Sequence, residues 1–126
     1  MSIYLVTGGA GFIGSALCRR LIDIGHEVHV LDNLSTGYES NLPSSCEFYP
    51  GDCSDKIILS SLQKLKLDGI LHFAGQSSGE VSFDDPVKDL TDNTISTLNL
   101  LELAKKNKEG KFLFASSMSV YGEQPP

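Results

Sequence analysis

Positive charge is scarce in this chain. Ten Lys and Arg stand against 16 Asp and Glu, for a formal net charge of −6, and no lysine or arginine lies between Arg20 and Lys56. There is no basic face for a phosphate backbone, which argues against a nucleic-acid partner. No apolar run approaches the roughly 18 residues of a membrane span, so no membrane partner is expected. The opening Met1-Ser2-Ile3-Tyr4-Leu5-Val6 has no basic stretch and only a short apolar run, and does not read as a signal peptide. Cysteine is limited to Cys18, Cys46 and Cys53, an odd number at spacings that match no zinc pattern. No metal site is expected, and reduced thiols in a cytoplasmic protein are the reading.

What remains is ordinary for a globular domain. The 126 residues allow one domain, with 40% hydrophobic and 21% charged residues. Ile3 to Val6 is short, apolar on both faces and followed by Thr7-Gly8-Gly9, as expected of a buried parallel strand. From Phe12 the period becomes helical through Ile13, Leu17, Leu21 and Ile24, with Gly25 as the stop. Glu27 to Leu31 reads as a second strand, 33 to 46 as loop, and Glu47 to Tyr49 as a short third strand. Asp55 can cap a helix with Ile58, Leu59, Leu62 and Leu65 inward, broken at Asp68-Gly69. Ile70 to Phe73 is the fourth strand and Gln76 to Asp84 a polar loop. Asp85-Pro86 opens a helix with Val87, Leu90, Thr94, Leu98, Leu101 and Ala104 on one stripe, ending near Gly110. Lys111 to Ala115 is the fifth strand, and 116 to 126 reads as loop. Strands and helices in alternation predict an α/β fold: a Rossmann-type doubly wound parallel sheet of about five strands, with helices on both faces.

The chemistry concentrates in Gly8-x-x-Gly11-x-x-Gly14, between the first strand and the first helix. The spacing means little alone. Between a strand and a helix it fits a pyrophosphate: Gly8 for the turn, Gly11 for close backbone approach, Gly14 for packing of helix on sheet. Free N–H groups at the helix start receive the phosphates. Asp32 ends the second strand, where a carboxylate can accept both hydroxyls of an adenosine ribose and would repel a 2′-phosphate. With no nearby cation to neutralise such a phosphate, NAD is expected over NADP.

Taken together, Thr7 to Gly14, Leu31-Asp32-Asn33-Leu34, Gly51-Asp52, His72-Phe73-Ala74-Gly75 and Ser116 to Gly122 resemble the NAD-dependent epimerase/dehydratase family of the extended short-chain dehydrogenase/reductases. The resemblance covers the whole chain. It implies that Phe12 and Ile13 meet the pyrophosphate through their N–H groups. Asp32, Asn33, Thr36 and Gly37 would line the adenosine ribose. Asp52 would contact the adenine amino group with Cys53 beside the ring, and Phe73, Ala74 and Gly75 would line the path to the nicotinamide ribose. Ser117 matches the family's catalytic serine, which hydrogen-bonds the sugar hydroxyl being oxidised. The implied substrate is a nucleotide sugar. A lysine that follows His-Phe-Ala-Gly in UDP-galactose-type members is Ser77 here, and Gln76 resembles branches acting on CDP- or GDP-sugars.

The family's chemistry uses a Tyr-x-x-x-Lys pair some two dozen residues past the serine segment, beyond the last residue here. Tyr121 is a poor substitute, since Pro125 stands where the lysine would. This sequence is thus expected to be the NAD-binding N-terminal part, residues 1–126, without the C-terminal substrate-binding region, and inactive alone. The parent is read as a nucleotide-sugar epimerase. A 4,6-dehydratase or dehydrogenase of the same family, or a non-catalytic NAD-binding module, are the alternatives. Bland readings cover the rest: His72 as a packed core histidine, His26 and His29 as surface positions, Cys18 as buried and inert, and the leucines at 98, 100, 101 and 103 as core. Phe112 to Ala115 is expected to form an apolar sheet edge that invites self-association, and the protein is expected to be a homo-oligomer.

Overall fold

The computed structural model describes residues 1–107 and 110–123. Five strands form one sheet: β1 (Ile3–Thr7), β2 (Glu27–Asp32), β3 (Glu47–Pro50), β4 (Gly69–His72) and β5 (Lys111–Phe114). All neighbours are parallel, in the order β3-β2-β1-β4-β5. Reversal of the winding at β1 gives the doubly wound sheet expected from the alternating pattern, with a crevice at the carboxyl ends of β1 and β4.

The two sheet faces bury different helices. Alternation along each strand sends Val6, Val28 and Val30 to one side, where Cys18 and Leu21 of α1 (Phe12–Asp23) cover them. Leu5, Leu31 and Ile70 point to the other side. There they meet Leu59 and Leu62 of α2 (Lys56–Leu62) and Leu100 and Leu103 of α5 (Ser96–Lys106). Each such leucine contributes about 1.5–3 kcal/mol on burial. The second face is the larger core because two helices share it.

Helix boundaries follow local chemistry. Asp55 caps α2, its carboxylate accepting from the Ile57 N–H at 2.8 Å. The helix ends at Leu62, several residues before the expected break at Asp68-Gly69. A turn carries the chain on, with the Leu65 N–H donating to the Leu62 carbonyl. Gly69 itself belongs to β4. Residues 76–84 are not all loop. Ser78 caps a short helix α3 (Gly79–Asp84), its hydroxyl accepting from the Val81 N–H. Asp85 does the same for α4 (Pro86–Leu90), accepting from Lys88 N–H at 2.9 Å with Pro86 in the first turn, as the sequence predicts. Between α4 and α5 the backbone widens into a π turn, Thr91–Ile95. The segment 116–123 holds a 3₁₀ turn, Met118–Tyr121. Pro125 and Pro126 lie outside the described residues.

Two side-chain assignments are corrected. The stripe Val87, Leu90, Thr94, Leu98, Leu101 faces away from the sheet, and Ser96, Leu100 and Leu103 face it. Polar anchors set this rotation: the Thr97 hydroxyl bonds His72 Nε2 at 2.9 Å, and Asn93 bonds residue 76. His29 is buried, at 5% exposure, because its ring lies between Tyr49 Oη at Nδ1 (3.1 Å) and Glu27 Oε1 at Nε2 (2.7 Å). The chain meets an edge at β5, where Leu113 and Phe114 are about half exposed.

His72 ties three elements together. Its Nδ1 meets the Thr7 hydroxyl of β1 at 2.7 Å and its Nε2 the Thr97 hydroxyl of α5. Burial pushes its pKa down from 6.5 to about 4. Between those values the unfolded chain binds a proton that the folded chain does not, so stability falls as pH drops from about 6.5 to about 4, by up to ~3 kcal/mol. Urea unfolding across that range should show the fall, and His72→Gln should flatten it. Light scattering at high concentration should show self-association through the β5 edge, and Phe114→Lys should return the chain to monomer.

Candidate functional site

The glycine loop owes its shape to contacts that leave no room for side chains. Gly8 has φ +71° and donates its N–H to the Leu31 carbonyl at 3.0 Å. A Cβ there would lie 2.7 Å from the Ala74 nitrogen, because the loops leaving β1 and β4 run against each other. A Cβ on Gly14 would lie 2.2 Å from the Gly8 carbonyl oxygen. Helix α1 therefore starts directly beneath the loop, with Gly11 at its N-cap and no side chain capping it. The N–H groups of Phe12 and Ile13 belong to the first turn, where no intrahelical acceptor exists. Their side chains turn away, that of Phe12 being 93% exposed.

Asp32 joins this loop to the next strand. Its Oδ2 accepts from the Ala10 N–H at 2.9 Å and its Oδ1 from the Leu34 N–H at 2.8 Å. The residue is 8% exposed. A carboxylate has about four acceptor sites, so these bonds leave capacity for hydroxyl donors. Next to it, Asn33 Nδ2 donates to Asp52 Oδ2 at 2.9 Å, and Asp52 Oδ1 accepts from both the N–H and the hydroxyl of Ser54 at 2.7 Å. Burial raises the Asp52 pKa. The Ser54 and Asn33 bonds and the charge of Lys88 outweigh it, and the net shift is downward. Cys53 is buried and its thiol is pushed up to about 12, mainly by loss of solvent, so it is an inert wall. Cys18 is likewise pushed to about 12 by burial.

The loop leaving β4 is held by one amide. Asn93 Oδ1 accepts from the Gln76 N–H at 2.8 Å while its Nδ2 donates to the Gln76 carbonyl at 2.9 Å and to Asp89 Oδ1 at 3.0 Å. Asp89 Oδ1 also accepts from Gln76 Nε2 at 2.8 Å and the Ser82 hydroxyl at 2.7 Å. The π turn places Asn93 for this double contact, as π turns often mark functional positions.

These pieces enclose a cavity of about 420 Å³ at the carboxyl ends of the central strands. Of the sequence-predicted residues, Gly8, Gly11, Asp32, Asn33, Thr36, Gly37, Asp52, Cys53, Phe73, Ala74 and Gly75 line it. Phe12 lies at a neighbouring groove with Thr36 and Gly37, and Gly14 packs under the loop. Ile13 does not reach the wall. Nor does Ser117, which is exposed and accepts from the Ser119 N–H at 3.1 Å. Sequence reasoning passed over Lys88, Asp92 and Ser96, which complete the far wall. They sit on a segment read as packing helix, and only the π turn reveals that it faces the site.

The match to known proteins now decides the family. Residues 4–126 fit the model of the NAD dependent epimerase/dehydratase family. The chain belongs to that family. It is 39% identical over 122 residues to a UDP-glucose 4-epimerase of Streptomyces lividans, covering 95% of this chain and 37% of that protein. A putative UDP-glucose 4-epimerase of Methanocaldococcus jannaschii is 40% identical over 120 residues, covering 94% and 39%. Among solved structures, the Thermus thermophilus UDP-glucose 4-epimerase complex with NAD superposes with a TM-score of 0.90 at 42% identity, covering 98% of this chain and 40% of that one. The Thermotoga maritima UDP-glucose 4-epimerase with UDP-glucose gives 0.91 at 37% identity, covering 98% and 41%. The chain spans about two-fifths of the length of these relatives. Among the described residues no helix is long and apolar enough to cross a membrane.

The tight contact between Gly14 and Gly8 predicts a large effect from one methyl. Gly14→Ala should destabilise the fold by about 1–3 kcal/mol through overpacking and lift α1 off the loop. Denaturant unfolding checks the first effect, and loss of NAD-induced stabilisation the second.

Proposed function

We propose that this chain is the NAD-holding part of a nucleotide-sugar epimerase, and that the glycine loop with Asp32 is its cofactor cradle. The observation that carries the reading is the fit of the site to a dinucleotide. The crevice lies at the switch point of the sheet, the loop over α1 excludes any Cβ at Gly8 and Gly14, and Asp32 stands buried at the end of β2. The residues present therefore suit NAD. The α1 N-terminus, with Phe12 and Ile13, would hold the pyrophosphate. Asp32, with Asn33, Thr36 and Gly37 alongside, would take the adenosine ribose. Asp52 and Cys53 would meet the adenine, and Phe73, Ala74 and Gly75 would guide the nicotinamide ribose.

When bound, NAD supplies a transient hydride acceptor for a sugar carbon. The chain's own contribution is orientation: Asp32 would fix the ribose and the Asn93-held loop after β4 the nicotinamide side, while Ser117, outside the cavity wall here, would offer its hydroxyl to the sugar oxygen only as the family resemblance implies. Acid–base chemistry needs a tyrosine lowered in pKa by a lysine. None of Tyr4, Tyr38, Tyr49 or Tyr121 has a lysine four residues on. The relatives named UDP-glucose 4-epimerase favour epimerisation over the dehydratase and dehydrogenase alternatives. We further propose a cytoplasmic homo-oligomer acting in carbohydrate metabolism.

Thermal unfolding with NAD and NADP tests the cradle. NAD at about 100 times its Kd should stabilise the chain by roughly 2.7 kcal/mol, a shift of several degrees, and NADP should not. Asp32→Ala should lose the NAD shift. Equal shifts with both dinucleotides would overturn the role given to Asp32, and no shift with either would remove the cofactor reading for this chain.

A further inference from the structure

Helix α3 stands in the cavity wall without a core to hold it. Gly75, Gln76, Ser77, Ser78 and Val81 line the cavity from the loop after β4 into the first turn of α3. No residue of α3 is buried, and its one aromatic, Phe83, is 91% exposed. A helix of six residues is marginal by itself. Burial therefore does not fix where this wall stands.

Hydrogen bonds fix it, and they converge on one oxygen. Asp89 Oδ1 accepts from the Ser82 hydroxyl of α3 at 2.7 Å, from Gln76 Nε2 at 2.8 Å and from Asn93 Nδ2 at 3.0 Å. Beyond its own caps, α3 among the described residues hydrogen-bonds the rest of the fold through Ser82. The Gln76 amide grips both backbone groups of Ser78: Oε1 accepts from its N–H, and Nε2 donates to its carbonyl at 3.0 Å. Asn93 is the fixed end of the set. Its carbonyl accepts from the Thr97 hydroxyl at 2.6 Å, and Thr97 is bonded to the buried His72 of β4. The bonds thus run from the sheet to the π turn, from the π turn to Asp89, and from Asp89 to α3. Bonds to a carboxylate are stronger than neutral ones. Without Asp89, Ser82 keeps only the 3.2 Å contact with Gln76 Nε2 and its bond within the Ser78 cap.

The sheet order says which part of a ligand this wall meets. Asp32 and Asp52 follow β2 and β3 on one side of β1, and residues 75–81 follow β4 on the other. Resting on the NAD reading, we propose that Asp89 is a positioning residue for the nicotinamide half of the cofactor. Its carboxylate latches α3 and the loop after β4 onto the π turn, so that the wall is in place before the ligand arrives. Such preorganisation removes an ordering cost from binding.

Hydrogen exchange and isothermal titration of the 126-residue chain test this, with NAD and ADP as probes. ADP lacks the nicotinamide and its ribose. In Asp89→Ala the Ser82 and Asp85 amides should exchange at least about tenfold faster while those of β1 and β4 keep their rates. NAD should weaken about tenfold and ADP stay within about twofold. Asp89→Asn keeps an acceptor at Oδ1 and should hold NAD within about threefold. Unchanged exchange in α3 or unchanged NAD affinity in Asp89→Ala would overturn the proposal. So would an equal loss for NAD and ADP, or an Asp89→Asn chain as weak as Asp89→Ala. If Asp89→Ala does not fold, Ser82→Ala cuts the α3 arm alone: faster exchange confined to α3 supports the latch, and unchanged exchange overturns it. An unsubstituted chain that binds no NAD would remove the cofactor reading and the nicotinamide role with it. The exchange rates would still decide whether Asp89 holds the wall.

Discussion

Asp32 accepts one N–H from the glycine loop and one from the loop that follows β2. With that carboxylate in place, Ala10 cannot drift from the end of the sheet and Leu34 is held at φ +58°. Charge-assisted bonds of this kind are stronger than neutral ones and leave little freedom in their partners. The rest of the site is assembled around them. The Ala10 carbonyl, thus fixed, accepts from Asn41 Nδ2 and the Tyr38 N–H, which bring the Thr36-Gly37 segment against the glycine loop. One side chain gives the cavity both its rim and its candidate ribose ligand.

A second set of bonds couples the sheet to the far helices. His72 reaches Thr7 on one side and Thr97 on the other, and Thr7 also accepts from the Ala74 N–H. The neutral ring suits this place, since desolvation keeps the proton off. Packing and site geometry are therefore not independent here. The contact that buries the histidine also sets where Phe73, Ala74 and Gly75 leave the sheet.

Much of this was legible in the sequence. All five strands fall within a residue or two of the places where apolar runs meet glycine or aspartate, because strand length and turn chemistry are local properties. Asp55 and Asp85 were readable as caps for the same reason. The short helix at 79–84 was missed because its turn has Gly, Ser and Asp, which favour loops unless Ser78 caps it. His29 was misplaced because nothing nearby in sequence says that Tyr49, on another strand, closes over it. The inward face of α5 was misjudged since two leucine stripes compete there, and hydrogen bonds from Asn93 and Thr97 choose between them. Lys88 and Asp92 were invisible as wall residues for that reason too.

The π turn at Thr91–Ile95 bears on which changes in chain length this domain can absorb. It holds about one residue more than an α-helical path needs. Losing one residue there would restore a continuous helix with α4 and α5 facing as they do now. The same loss inside α5 would turn every later side chain by about 100° about the axis and carry Leu103 off the sheet. Length variation among related chains should therefore gather at this turn and avoid the helix that follows it.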